Sequence, residues 1–119
     1  MSKIEFTIPI QVNSKLSLNS IYSGYHWSNR VKKALKIHKI VKCALIKQNI
    51  QRKLIKSPVC INFYWKSRLD LDNHGYLAKL IIDGLKGYLL FDDDKKHIIK
   101  ISHSYWDSDG VKVQIDDSC

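Results

Sequence analysis

The sequence predicts a single small α/β domain of the α+β kind, with a mixed β-sheet, two main helices and the element order β-α-β-α-β-β. Three observations point there. Several short segments alternate apolar and polar residues with the period of a strand, and two longer ones carry apolar residues at helical spacing. The chain's 119 residues suit one compact domain with a real core, and neither repeats nor low-complexity linkers divide it.

Ile4, Phe6, Ile8 and Ile10 alternate with Glu5 and Thr7 and predict a first strand, with Pro9 marking an edge or a strand end. Residues 11–26, rich in Ser, Asn, Gly and Tyr, read as a long loop, and loops of that length are often functional. From about Ser28 to Gln48 the period turns helical. Val31, Ala34, Ile37, His38, Val41, Ala44 and Leu45 share one face, while Lys32, Lys36, Lys39 and Lys47 gather on the opposite one, flanked by Lys33 and Lys42. Val59, Ile61, Phe63 and Trp65 alternate with Cys60, Asn62 and Tyr64 as a second strand. Asp72 or Asn73 is placed to cap a helix running to about Lys86, with Leu77, Leu80, Ile81 and Leu85 on its apolar side and Gly87 as its stop. Ile99, Ile101, His103 and Tyr105 form a further alternating strand; Asp107-Ser108-Asp109-Gly110 then predicts a turn, and Val111, Val113 and Ile115 its partner strand.

Charge is divided unevenly along the chain. The formal net charge is +9, yet residues 1–56 hold twelve Lys/Arg against one acid, and residues 57–119 hold eight Lys/Arg against ten Asp. A field of this sign favours association with a polyanion such as nucleic acid. The lysine face of the first helix carries no acid among its cations, so phosphate contact stands beside the plainer reading of a solvated surface. No apolar run approaches the roughly 18–20 residues that cross a bilayer, and the N-terminus reads as a strand without a secretory signal, so a soluble, cytoplasmic protein is expected. Cys43, Cys60 and Cys119 are widely spaced, odd in number and free of a C-x-x-C pair; neither a zinc site nor a disulfide framework is indicated, and buried free thiols are expected.

Five of the eleven acidic residues sit in two tight clusters, Asp70-Leu71-Asp72-Asn73 and Asp92-Asp93-Asp94. Like charges this close call for a cation. In an extended segment, residues two apart point the same way, so Asp70 and Asp72 present their carboxylates together while Leu71 turns into the core. Hard oxygen ligands at a strand-to-helix junction suit Mg²⁺, which keeps several waters and so leaves room for a phosphate oxygen. The plain alternatives are a helix N-cap for the first cluster and a solvated turn for the second. The D-x-D-x-D-G-x₅-E spacing of an EF-hand is absent, which argues against that kind of site.

Asp70-Leu71-Asp72-Asn73, then Lys79, then Ile82-Asp83-Gly84-Leu85, then Asp92-Asp93-Asp94 resembles the RusA family of Holliday junction resolvases. Ile8-Pro9 and the segment Ser17-Leu18-Asn19 with Tyr22 are similar to that family's N-terminal part, so the resemblance covers nearly the whole chain. It implies a homodimeric, Mg²⁺-dependent endonuclease, common in phages and prophages, that cuts symmetrically related strands of a four-way DNA junction. By that resemblance Asp70 and Asp72 are metal ligands and the third comes from the acidic run, Asp93 first, then Asp92, with Asp94 the remaining choice. Lys79 would contact the scissile phosphate, although an ion pair with Asp83 four residues on is equally open to it. Arg30, Lys32, Lys36, Lys39, Lys47 and Arg68 would hold DNA phosphates. The sequence departs from the family in the Lys95-Lys96-His97 that follows the acidic run and in lacking the usual proline before Asn19.

Other residues have two readings. His74 lies close enough to the acidic pair to donate a proton, but reads better as a capping or surface residue. Tyr22, Tyr25 and Trp27 with Arg30 are suited to stacking on unpaired bases or to packing the loop. Two rival functions stand beside the resolvase: a non-catalytic basic DNA-binding module, and a metal-dependent nuclease acting on flaps, ends or RNA.

Overall fold

The computed structural model describes residues 3–11 and 27–119, with the side chains of 27–30 left out. The loop residues Ser17, Leu18, Asn19, Tyr22 and Tyr25, and the side chains of Trp27 and Arg30, therefore lie outside the described residues. The elements are β1 (Lys3–Ile8), α1 (Trp27–Lys47), β2 (Val59–Trp65), a 3-10 turn (Leu71–His74), α2 (Gly75–Leu85), β3 (Ile98–Tyr105) and β4 (Val111–Asp116). This is the α+β architecture with a mixed sheet that the periodicities predict. No described helix is long and apolar enough to cross a membrane.

The sheet runs β1-β4-β2-β3. β4 is antiparallel to both of its neighbours, with Phe6 and Phe63 each opposite Val113, whereas β2 and β3 are parallel. The expected pairing of β3 with β4 through the Asp107–Gly110 turn does not occur. β4 instead inserts between β1 and β2, where Val111, Val113 and Ile115 bury one face fully, and β3 takes the outer edge. Gly110 makes this close approach feasible: its φ is +85°, and a Cβ there would stand 2.7 Å from the Ile8 carbonyl oxygen.

The core is the face formed by Phe6, Ile8, Val59, Ile61, Phe63, Trp65, Val111, Val113 and Ile115, covered by both helices. Ile37, Val41, Ala44 and Leu45 of α1 and Leu77, Ile81 and Leu85 of α2 supply the covering layer at helical spacing. Val31, predicted to share that buried face, is 39% exposed. The two helices meet at Gly84, where a Cβ would lie 3.3 Å from both His38 Cα and Val41 Cβ. α1 closes at Asn49, whose φ of 60° lets the Ile50 N–H reach the Leu45 carbonyl at 2.9 Å. Gln48 then turns back onto β1: its Oε1 accepts from the Thr7 N–H at 2.9 Å and its Nε2 donates to the Thr7 carbonyl at 2.7 Å. α2 ends as expected before Gly87, at φ +81°.

The cysteine reading is corrected. Cys60 and Cys119 are joined in a disulfide, with Cα atoms 6.1 Å apart. Because Cys60 lies opposite Asp116 in the β2–β4 register, the last residues of the chain are delivered to its outward-facing side. Cys43, expected to be buried, is exposed on α1.

Candidate functional site

β2 ends at Trp65, and the chain then makes a tight descent into α2. Ser67 Oγ accepts from the Leu69 N–H at 2.9 Å, and Tyr105 on β3 donates its hydroxyl to the Leu69 carbonyl at 2.6 Å. Asp70 is extended (φ −63°, ψ 151°), and its carbonyl accepts from the Asn73 N–H at 3.0 Å. From Leu71 the backbone coils into the 3-10 turn, so the strand-like alternation assumed for Asp70 and Asp72 lasts only to Asp70. Leu71 does turn toward the core.

No side-chain cap forms at either helical start, which sets aside the capping reading of Asp70, Asp72 and Asn73. Both carboxylates are exposed, and neither has a hydrogen bond or ion pair among the described residues. Most of the chain's other acids are paired, which is the expected state in so cationic a protein. Lys66 bonds Asp109 at 2.8 Å, Lys112 lies 3.7 Å from Glu5, and Lys79 reaches Asp83 at 3.3 Å. Lys79 thus takes the ion-pair option that its spacing left open.

The second acidic run is neutralised from within. Lys86 Nζ stands 3.1 Å from Asp93, 3.2 Å from Asp83 and 3.9 Å from Asp92. The hydrogen bond from Lys86 holds the Asp93 carboxyl below its ordinary pKa, and Asp93 in turn raises that of Lys86. Asp94 accepts from His97 Nδ1 at 2.6 Å and is lowered by that bond. Lys86 is not singled out by sequence reasoning, although it sits three residues after Asp83 and just ahead of the acidic run, which is the pattern of a helix-end ion pair.

The two acidic arms do not meet within one chain. Asp92–Asp94 precede β3 at the end where the Val59 N–H bonds the His97 carbonyl, whereas Asp70 lies beyond the other end, beside Tyr105. The seven residues of β2 put about 20 Å between these ends. Among the described residues no three His, Cys, Asp or Glu side chains gather as a metal site.

His74 is not a surface residue: it is 1% exposed. Its ring stacks on Trp65 at 4.6 Å between centroids and meets Tyr105 edge-on, and its Nδ1 bonds the Leu71 carbonyl at 3.1 Å. On the same Trp65, the indole N–H donates to His103 Nδ1 at 2.9 Å. Burial pushes the His103 pKa down, and the proximity of His74 adds to the shift. The spacing of His74, Leu77, Ile81 and Leu85 is a helical apolar stripe, and that stripe is the sequence signal for the burial of His74.

Of the expected phosphate contacts, Lys32, Lys36, Lys39 and Lys47 are exposed on α1, and Arg68 is exposed two residues before Asp70. No protein-family model matches the chain, and no curated protein matches it.

Proposed function

We propose that the chain is a Mg²⁺-dependent, structure-specific DNA endonuclease of the RusA type that resolves four-way junctions as a homodimer in the cytoplasm. What supports this above all is the pair Asp70 and Asp72: two exposed carboxylates, without a protein cation among the described residues, in a chain of net charge +9. Carboxylates left open in such surroundings fit a hard divalent cation, which takes one or two of them and completes its shell with water. Bound there, Mg²⁺ would neutralise phosphodiester charge and acidify a water. Asp70 and Asp72 hold the ion, Arg68, two residues before Asp70, is the nearest candidate in sequence for phosphate contact, Lys79 joins it only by leaving Asp83, and the lysines of α1 hold the flanking duplex.

The separation of the acidic arms bears on the homodimer. β3 is an edge strand of eight residues whose outer side exposes Ile99, Ile101 and Tyr105. Antiparallel pairing of β3 with its copy across a two-fold axis would bury these side chains. It would also carry Asp93 of the partner subunit to the Tyr105 end, where Asp70 sits. On this reading the third carboxylate is supplied in trans, once Asp93 has exchanged Lys86 for the ion.

Cleavage of a four-way junction, a flap, a linear duplex and RNA, each with Mg²⁺ or with chelator, is the test. Asp70→Asn is expected to abolish Mg²⁺-dependent junction cleavage while binding persists or tightens, because a negative charge is removed. Full cleavage by that variant overturns the assignment. A second reading, the non-catalytic DNA-binding module, draws on the separation of the arms within one chain; it predicts no Mg²⁺-dependent cleavage of any of the four substrates.

A further inference from the structure

Three consecutive carbonyls, those of Leu69, Asp70 and Leu71, each accept a hydrogen bond. The donors are Tyr105 Oη at 2.6 Å, the Asn73 N–H at 3.0 Å and His74 Nδ1 at 3.1 Å. The middle bond is the turn's own. The outer two come from side chains: Tyr105 reaches in from β3, His74 folds back from the last position of the turn, and together they hold the Leu69–Asp70 and Leu71–Asp72 peptide units. The two donors also touch one another, ring edge to ring face, with centroids 6.4 Å apart.

His74 is chemically odd for a core residue. A carbonyl oxygen only accepts, so the Leu71 bond fixes the imidazole proton on Nδ1. Nε2 is then a lone pair, buried and without a partner among the described residues. A buried acceptor left unsatisfied is costly, and a phenylalanine or leucine would fill the same space against Trp65 at no such cost. Among the described residues, the only polar bond the His74 side chain makes is to the turn. Tyr105 is odd in the opposite sense. It is 52% exposed on an edge strand, so its hydroxyl has water available, yet it is committed to the Leu69 carbonyl.

We propose that Tyr105 and His74 form a two-point clamp that positions Asp70 and Asp72 for a divalent cation, by holding the backbone while leaving both carboxylates free. The inference rests on the metal reading of those aspartates and names two positioning residues for it. A rigid backbone beneath unpaired carboxylates is what a cation site requires: the ligands gather before the ion arrives, and less ordering is left for binding to accomplish. Trp65 completes the device, since one face of the sheet carries His74 by stacking and the same indole fixes His103 through its N–H.

The test uses the full chain and Mn²⁺ as the probe, titrated by electron paramagnetic resonance, with amide exchange at Asn73 followed in parallel. Tyr105→Phe keeps the ring and removes only the donor; His74→Phe keeps the stack and removes the Nδ1 donor; His74→Asn returns a donor to nearly the same place. Each loss of a donor is expected to weaken Mn²⁺ binding about 2–10-fold, the equivalent of one hydrogen bond, and to speed exchange at Asn73. His74→Asn is expected to recover affinity that His74→Phe loses, which a purely structural role for the ring does not predict. Unchanged Mn²⁺ affinity or unchanged Asn73 exchange in both Phe variants overturns the clamp. Asp70→Asn is the control on the underlying reading: if it leaves Mn²⁺ binding intact, or if the wild type binds none, the metal assignment falls and the clamp's purpose with it.

Discussion

Replacing Cys119 by Ser opens the covalent loop that the Cys60–Cys119 bond closes across 59 positions of sequence. In the chain-entropy description, a loop of that size removes about 4 kcal/mol of freedom from the unfolded state, and measured bonds commonly deliver about 2–4. The folded side changes little, because Cys119 is exposed at the chain end and Cys60 packs as a small apolar side chain. A loss of about 2–4 kcal/mol is therefore expected, equivalent to a fall in Tm of roughly 10 °C for a domain of this size. Urea unfolding followed by tryptophan fluorescence measures it. The unfolding slope should also rise, since an unlooped chain exposes more surface. Wild type treated with a thiol reductant should coincide with Cys119→Ser, and reductant should not move Cys119→Ser further. The reasoning is refuted if reductant leaves the wild-type midpoint where it was and all three thiols of the denatured protein react without it. The outcome also bears on the proposed cytoplasmic setting, where reducing conditions keep such pairs as thiols.

Other expectations follow from the charge arrangement. The His103 pKa is depressed in the fold, so below its ordinary value of about 6.5 the unfolded chain binds the proton first. Stability is then complete above that pH and declines as pH falls toward the folded-state value; His103→Gln should flatten this part of a stability-against-pH curve, and an unchanged curve would count against it. Lys86→Met removes the hydrogen bond that lowers Asp93, so the Asp93 carboxyl should titrate nearer its ordinary range in a carbon-13 NMR pH series. Removing Lys32, Lys36, Lys39 and Lys47 together should reduce the salt dependence of DNA binding by about 0.9 in log–log slope for each phosphate no longer neutralised. An unchanged slope would return the stripe to a solvated surface.

Much of the fold is legible because burial is one-sided. β1, β2 and β4 each hide one face, and α1 and α2 each hide a stripe, so their periods of two and 3.6 stand out in the sequence. The partner of β3 is not legible in that way. A short polar turn between two alternating segments looks the same whether the strands pair with each other or flank a third, and only competition for the two sides of β2 decides it. The disulfide escapes for a similar reason: it depends on the register that sets Asp116 beside Cys60. At the candidate site, the unusual clustering of Asp70 and Asp72 is visible as sequence, whereas their lack of partners among the described residues is not. Deciding that required knowing that Lys79 turns to Asp83 and that Lys86 serves Asp83, Asp92 and Asp93. His74 hides because an imidazole between Asn73 and Gly75, just after an acidic pair, reads as surface until its stripe is traced.

The Gln48 amide on Thr7 has a consequence for assembly. A sheet with two open edges can add copies head to tail, β1 of one against β3 of the next, and such contacts run on into filaments rather than closing. Gln48 occupies the N–H and carbonyl of Thr7, a rung on the outer side of β1, so an incoming strand finds that pair already taken. β3 carries no such stopper among the described residues. Among the described residues one edge is corked and the other is open, and that asymmetry opposes head-to-tail growth.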